Sequence, residues 1–388
     1  MKRGHETLDE ARDLSGEQTL KKFIVNEKFI FEIKHAEAYL HECPFFRQPA
    51  EFGAFSLDID RKYMNTNEKM REYVPSVKRD PQFDLNVGFK TLTARDEDVQ
   101  ERLDHLLQWV DLHRDRFKLS TDSHPVSLHT DFLTWRGHLV KILLTPYEKR
   151  EPWRMDACKH NGTIFISEVE TEEKRVQRLK QSERQKEMCY WGYKFEDYMT
   201  KPLSGNKATE KCSKNVTNNC EAYCSVVRTR MSSHSLVFGA EVDCCTLTDG
   251  KVKGPGSYVE LKTTRILDNP RQARNFANFK LIKFWAQSFL AGVPKVVCGM
   301  RDDNGIVRKI KNYVTLDIPD IALREGARWK PAVCLNFLDQ FLQWMKEKVV
   351  DDDHNVVYSF RYQEPFHVIE MKRLPYGEEC FLPDWFLK

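Results

Sequence analysis

The chain has 388 residues, 41% hydrophobic and 31% charged, and its 61 Lys+Arg against 58 Asp+Glu leave a formal net charge of +3. This excludes a disordered, collagen-like or histone-like polypeptide, and a chain of this length buries enough surface to fold without disulfide or metal staples. The opening residues carry charges but no apolar core, and no run approaches the roughly 18 consecutive apolar residues of a membrane span. Eleven cysteines in a chain without an export signal point to a reducing compartment and free, mostly buried thiols. The expectation is a soluble intracellular protein without membrane attachment, in which the Asn-x-Thr triplets at Asn161 and Asn215 are chance matches.

In chain order, residues 1–22 read as a flexible N-terminal tail and 23–388 as one large catalytic domain, since no linker interrupts the apolar residues. Long loops are expected over 65–90, 201–219 and 251–257. Val99, Leu103, Leu106, Leu107 and Val110 recur at helical spacing. Alternation or β-branched runs predict strands over 163–169, 235–243, 258–262 and 295–300. Residues 273–290 form a predicted helix closed by Gly292 and Pro294, and Cys334, Phe337, Leu338, Phe341, Leu342 and Met345 mark another. Strands over 355–362 and 366–371 flank Gln363-Glu364-Pro365 as a hairpin. Without a strict βαβ rhythm, the fold class is α+β, with mixed β-sheets packed together and flanked by helices.

Chemistry concentrates in two strands. Leu236, Phe238, Ala240 and Val242 share one face of the first, so Glu241 and Asp243 project from the other. In the second, Glu260 and Lys262 alternate with Val259 and Leu261. The intervening TDGKVKGPG supplies a turn, so the strands are expected to pair antiparallel and to gather three carboxylates and a lysine on one surface. Clustered carboxylates repel and resist desolvation unless a cation intervenes. Hard divalent ions favour such oxygens, and two of them about 4 Å apart can hold the attacking and leaving oxygens of a phosphoryl displacement. An exposed hairpin laced by cross-strand ion pairs is the alternative. The segment Trp191 to Asp197 has helical character, with Gly192 one turn before Glu196. A glycine there suits close backbone approach and a helix lending a fourth carboxylate; an aromatic core helix with a surface Glu explains it as well.

Together these segments resemble the decapping exoribonuclease (DXO) family, whose core is similar to the PD-(D/E)xK nucleases. The family's Gly-aromatic-x-aromatic-Glu motif matches Gly192 to Glu196, its Glu-x-Asp motif Glu241-Val242-Asp243, and its Glu-x-Lys motif Glu260-Leu261-Lys262. Gln287 and Arg136 match a downstream glutamine and an upstream arginine; the likeness runs from about Pro44 to Arg301 and weakens beyond. The resemblance implies a metal-dependent hydrolase that removes incomplete, non-standard or NAD caps and 5′-triphosphate ends from RNA, with 5′→3′ exoribonuclease activity, in mRNA quality control. It implies two Mg²⁺ ions, with Mn²⁺ able to substitute, bridged by Asp243. Glu260 and the main-chain carbonyl of Leu261 would complete one site, Glu196 and Glu241 the other. Lys262 and Gln287 would hold the scissile phosphate and the water. Trp135, Arg136 and Gly137 would grip the RNA 5′ region, with Arg61, Glu101 and Cys224 as further substrate contacts. The expected protein is a monomer acting on RNA with a modified or uncapped 5′ end, with a 5′→3′ exoribonuclease as a partner, in the nucleus or the cytoplasm.

Two other functions stay open: a PD-(D/E)xK DNA nuclease, and a non-catalytic stabilising partner of an exoribonuclease. The basic run 174–186 reads as an RNA groove, a solvated helix face or a nuclear-import signal. Cys212, Cys220, Cys224, Cys244 and Cys245 fit no zinc spacing, the histidines form no metal or triad pattern, and Gly292 and Gly299 read as turn and packing residues.

Overall fold

The computed structural model describes residues 28–119, 127–203 and 216–388. The predicted tail over 1–22, Cys212, Asn215 and most of the 201–219 loop lie outside them. Two mixed sheets organise the described residues. The first has ten strands, numbered along the chain, in spatial order β1 (Lys28–Glu32), β17 (Val368–Arg373), β16 (Tyr358–Tyr362), β7 (Trp153–His160), β8 (Thr163–Val169), β6 (Phe132–Trp135), β11 (His234–Glu241), β10 (Ala222–Met231), β2 (Ala50–Leu57) and β3 (Tyr63–Met64). The second runs β5 (Phe83–Asp84), β15 (Ile306–Val314), β14 (Lys295–Arg301), β13 (Tyr258–Arg265), β12 (Cys244–Cys245), β4 (Arg71–Tyr73) and β9 (Thr200–Pro202). Helices α1 (Asp104–Leu112), α2 (Arg136–Leu144), α3 (Glu172–Leu179), α4 (Glu183–Met199), α5 (Pro270–Phe276), α6 (Ile282–Ala291), α7 (Ile318–Arg324), α8 (Pro331–Lys348) and α9 (Asp384–Leu387) flank them. This is the α+β, mixed-sheet arrangement expected.

Burial explains which sequence signals survive. The six apolar residues that mark α8 are all fully buried, and a proline in its first turn starts the helix without losing a hydrogen bond. The β16–β17 hairpin pairs as its alternation predicts, from Tyr358↔Arg373 to Tyr362↔Ile369. Helix α1 begins later than its periodicity suggests, and Val99 is 60% exposed. The backbone just upstream is drawn into extended pairing instead, Thr93 N–H donating to Thr217 O and Asn219 N–H to Thr93 O. The predicted helix over 273–290 is continuous in α5 and α6, but a π-helical turn over Ala277–Leu281 interrupts its period. Gly292, at φ +72°, closes α6 in the left-handed conformation that suits glycine.

The expected pairing of the two carboxylate strands does not occur. Strand β11 sits between β6 and β10 in the first sheet, whereas β13 lies between β12 and β14 in the second. The chain leaves the first sheet after Glu241, and only Cys244 and Cys245 pair antiparallel with Val259 and Tyr258. Leu236 and Phe238 do share one face of β11, with Leu139 and Phe337, but the other face is apolar as well, Val237 packing with Leu106 and Trp109. A strand covered on both faces loses the polar–apolar rhythm. Between the sheets, Tyr223, Ala240, Val242, Cys245 and Tyr258 form one apolar cluster. The Glu51 carboxylate there accepts hydrogen bonds from Ser225 Oγ at 2.7 Å and from the Tyr258 hydroxyl.

Candidate active site

The crossover between sheets positions the acids. Asp243 follows β11 immediately before β12, and its Oδ2 accepts the main-chain N–H of Leu261 at 2.6 Å, which locks it beside β13. On β13, Glu260 is 3% exposed and takes cations on both oxygens: Lys262 Nζ on Oε1 and Arg136 Nη1 on Oε2 at 3.3 Å. Glu196 arrives from α4. Ser182 and Gln185 form a capping box that starts this helix, and Tyr190, Trp191, Phe195 and Met199 bury its inner face. Phe195 seats on Gly299 of β14, where a Cβ would come 2.6 Å from the ring. That close approach sets the height of α4 above β13. The close backbone approach expected at Gly192 is not seen: a Cβ there would meet nothing within 4 Å.

Electrostatics divides the three acids. Burial, with repulsion from Asp243 and Glu260, holds the Glu196 carboxyl well above the usual range. Burial and the Glu260 charge push Asp243 up to about 7. Glu260 is buried too, but Lys262 and Arg136 overcome that cost and bring it down to about 2. Burial opposes the charge on Lys262, yet Glu260 and Asp243 raise its pKa. Three carboxylates therefore face two cations, with one negative charge uncompensated whenever all are ionised.

Arg136 organises the opposite wall. At the first residue of α2, it donates from Nη1 to Gln287 O at 3.2 Å and from Nη2 to Glu241 O at 3.2 Å, as well as to Glu260. The side chain of Glu241 stands apart from the other acids: it is 55% exposed and lies 4.0 Å from Arg61 Nη2. Arg61 is itself held by a bidentate pair with Glu101, at 2.8 and 2.6 Å, which outweighs burial and raises its pKa. Cys224 lies buried opposite Glu241 in the β10–β11 ladder. Trp135 packs against Phe55 and donates its indole N–H to Arg102 O at 2.8 Å. Gly137 and Gln287 line a cleft of about 240 Å³ with Lys141, Trp153, Lys174 and Lys283. Sequence reasoning did not anticipate that Arg136 is a direct counter-ion of Glu260; no local signal joins residues 124 positions apart.

Much of the basic run 174–186 is neutralised. Lys174 pairs with Glu168 at 2.9 Å, Arg178 with Glu170 and Asp98, each at 2.9 Å, and Arg184 with Glu187 at 2.8 Å. Ten described cysteines are free, seven of them buried.

Among the described residues, no three His, Cys, Asp or Glu side chains stand grouped to hold a metal ion. The acids turn instead to Lys262, Arg136 and the Leu261 N–H. Their chemistry nevertheless fits hard divalent cations. Glu196 and Asp243 are oxygen donors whose ionisation the protein alone does not compensate, and a cation displacing their protons would relieve that cost.

The profile of the RAI1-like PD-(D/E)XK nuclease family matches residues 47–387, extending the likeness through the C-terminal hairpin. The decapping and exoribonuclease protein of Homo sapiens is 41% identical over 357 residues, covering 90% of this chain and 87% of that protein. Among solved structures, Scheffersomyces stipitis Rai1 in complex with (3′-NADP)+ and calcium ion has a TM-score of 0.77 at 25% identity, covering 93% of this chain and 97% of that one. Candida albicans Rai1 in complex with pU5-Mn²⁺ has a TM-score of 0.73 at 25% identity, covering 90% and 94%.

Proposed function

The chain belongs to the RAI1-like PD-(D/E)XK nuclease family, and on that premise we propose that it is a divalent-metal-dependent hydrolase of RNA 5′ ends. Its reaction is the removal of NAD caps, incomplete caps and 5′-triphosphate ends, followed by 5′→3′ degradation of the 5′-monophosphate RNA. The observation that carries this reading is the convergence of Glu196, Asp243 and Glu260 on Lys262 and Arg136 with one negative charge in excess. A resident Mg²⁺ pair, held by Glu196, Glu241, Asp243, Glu260 and the Leu261 carbonyl, would supply Lewis-acid stabilisation of the reacting phosphate and a more acidic water. Glu241 would have to turn from Arg61 to join them.

The chain's own groups do the rest. Lys262, kept charged by Glu260 and Asp243, offers its ammonium to a non-bridging phosphate oxygen. Arg136 is fixed by two main-chain carbonyls and by Glu260, so it meets a 5′ phosphate with little loss of side-chain freedom. Gln287 lines the adjoining cleft and can hydrogen-bond the attacking water. The Arg61–Glu101 pair presents a guanidinium near Glu241, as a further contact for the 5′ end of the substrate. Calcium and manganese in the complexes of the two fungal proteins support divalent ions in general; Mg²⁺ is our choice because it pairs with carboxylate, carbonyl and phosphate oxygens. The test is turnover of NAD-capped, 5′-triphosphate and 5′-monophosphate RNA with Mg²⁺ and with chelator. Hydrolysis of all three that stops with chelator supports the reading; chelator-insensitive turnover, or equal cutting of circular RNA, contradicts it.

A further inference from the structure

Beyond Lys262, strand β13 runs on into a second pocket. Thr264 lies two residues further along on the same face of the strand, about 7 Å away. There Thr264, Arg265, Gln272, Phe276, Phe279 and Lys280 line a pocket of about 310 Å³ between the end of β13 and the α5–π-turn segment. Three features mark it. Lys280 is exposed, donates to Thr264 Oγ1 at 3.3 Å, and among the described residues has no carboxylate within ion-pair distance. Phe279 is 51% exposed at the rim, with the Arg150 guanidinium 5.0 Å from its ring centroid. Both residues belong to the π-helical turn, a distortion found frequently at functional sites.

Position supports the pocket. Arg265 is already matched by Asp303 at 2.9 Å and Asp268 at 3.9 Å, so the free positive charge is that of Lys280, with Arg301, stacked 4.2 Å over Trp191, close enough to act on it. The buried Cys298 thiol, opposite Lys262 in the β13–β14 ladder and opposite Lys311 in the β14–β15 ladder, lies under the positive charge of Lys280, Lys262 and Lys311. The helix that carries Lys280 continues into α6 and Gln287. One strand and one helix thus connect the reaction centre to a pocket offering an apolar ring and an unpaired cation. We propose that this pocket binds a downstream nucleotide of single-stranded RNA, its base against Phe279 and its phosphate on Lys280. The proposal rests on the RNA 5′-end reading and extends it from the reacting phosphate to the strand behind it. Aromatic stacking beside a backbone-tracking cation is the usual way to hold single strands without reading sequence.

The experiment compares 5′-monophosphorylated oligoribonucleotides from two to ten residues, with NAD⁺ as a small substrate. Wild-type kcat/KM should rise with length. In Phe279→Ala with Lys280→Ala that gain should shrink on the order of ten-fold, mostly through KM, while the dinucleotide and NAD⁺ change by less than about two-fold. Phe279→Tyr with Lys280→Arg should restore the gain. Fluorescence anisotropy of the labelled decamer in chelator reads the same subsite without chemistry, and Lys280→Ala alone should flatten the salt slope of binding by about 0.7. If no 5′ end were turned over, the functional reading would fail while this binding measurement still judged the pocket. Equal losses on the dinucleotide and the decamer, or a length dependence and salt slope unchanged in the variants, would overturn the subsite.

Discussion

Two ionic clusters in this molecule set carboxylates against basic side chains to opposite ends. At the end of β8, Glu168 is flanked by Lys141 and, at 2.9 Å, by Lys174. Burial works against its charge, but the two lysines hold its carboxyl below the usual range, so it stays ionised with cations to spare. At the sheet crossover, Glu196, Asp243 and Glu260 share Lys262 and Arg136, and only Glu260 is brought down. The first cluster is complete within the chain. The second is left short of positive charge by the chain itself, and the proposed divalent-cation site rests on that deficit.

The largest test of this contrast is chemical. Asp243→Asn keeps an amide oxygen to accept the Leu261 N–H but removes the charge, and kcat on NAD-capped RNA should fall on the order of 10³-fold or more. A loss below ten-fold would place the essential charge elsewhere. The same substitution should stabilise the metal-free protein. The folded state holds Asp243 near pH 7 against an ordinary value of 3.8, so it binds a proton that the unfolded chain releases between those limits. Wild type therefore loses stability as pH rises through that window, and the variant does not. In urea melts with chelator, Asp243→Asn should be more stable than wild type by about 1–3 kcal/mol at pH 8, the gain vanishing toward pH 4. A variant less stable than wild type at pH 8 would contradict the account.

Smaller effects sharpen the comparison. Gly299→Ala pushes a methyl into the Phe195 ring. It should cost about 1–3 kcal/mol and lower kcat by displacing Glu196, with affinity for single-stranded RNA retained; unchanged kcat would detach α4 from the chemistry. Glu168→Gln should cost only about 1 kcal/mol, since Lys141 and Lys174 stay partly solvated, and should leave kcat within about three-fold. Thermal melts and steady-state rates of the two variants together separate a cluster that holds the fold from one that performs the reaction.

These contrasts were only partly legible in the sequence. The α8 heptad-like stripe, the C-terminal hairpin and the order of the acidic motifs depend on neighbours close in the chain, and they carried through. The partnership of β11 and β13 did not. The turn between them reads like a hairpin, yet each strand pairs within a different sheet, and the antiparallel pairing is confined to Cys244 and Cys245, just beyond the predicted strand. Glu241 and Asp243 are consequently separated, one facing Arg61 and the other clamped to Leu261. The π-turn, and the bridging of Glu260 by Arg136, arise from tertiary contacts that no periodicity announces.

The central claim, that the uncompensated charge at the crossover exists to be met by divalent cations, is tested most directly by calorimetric titration of Mn²⁺ at neutral pH in buffers of different ionisation enthalpy. The account predicts two ions bound per chain with net release of protons, both lost or sharply weakened in Asp243→Asn. Binding without proton release, or binding unchanged in that variant, would contradict it.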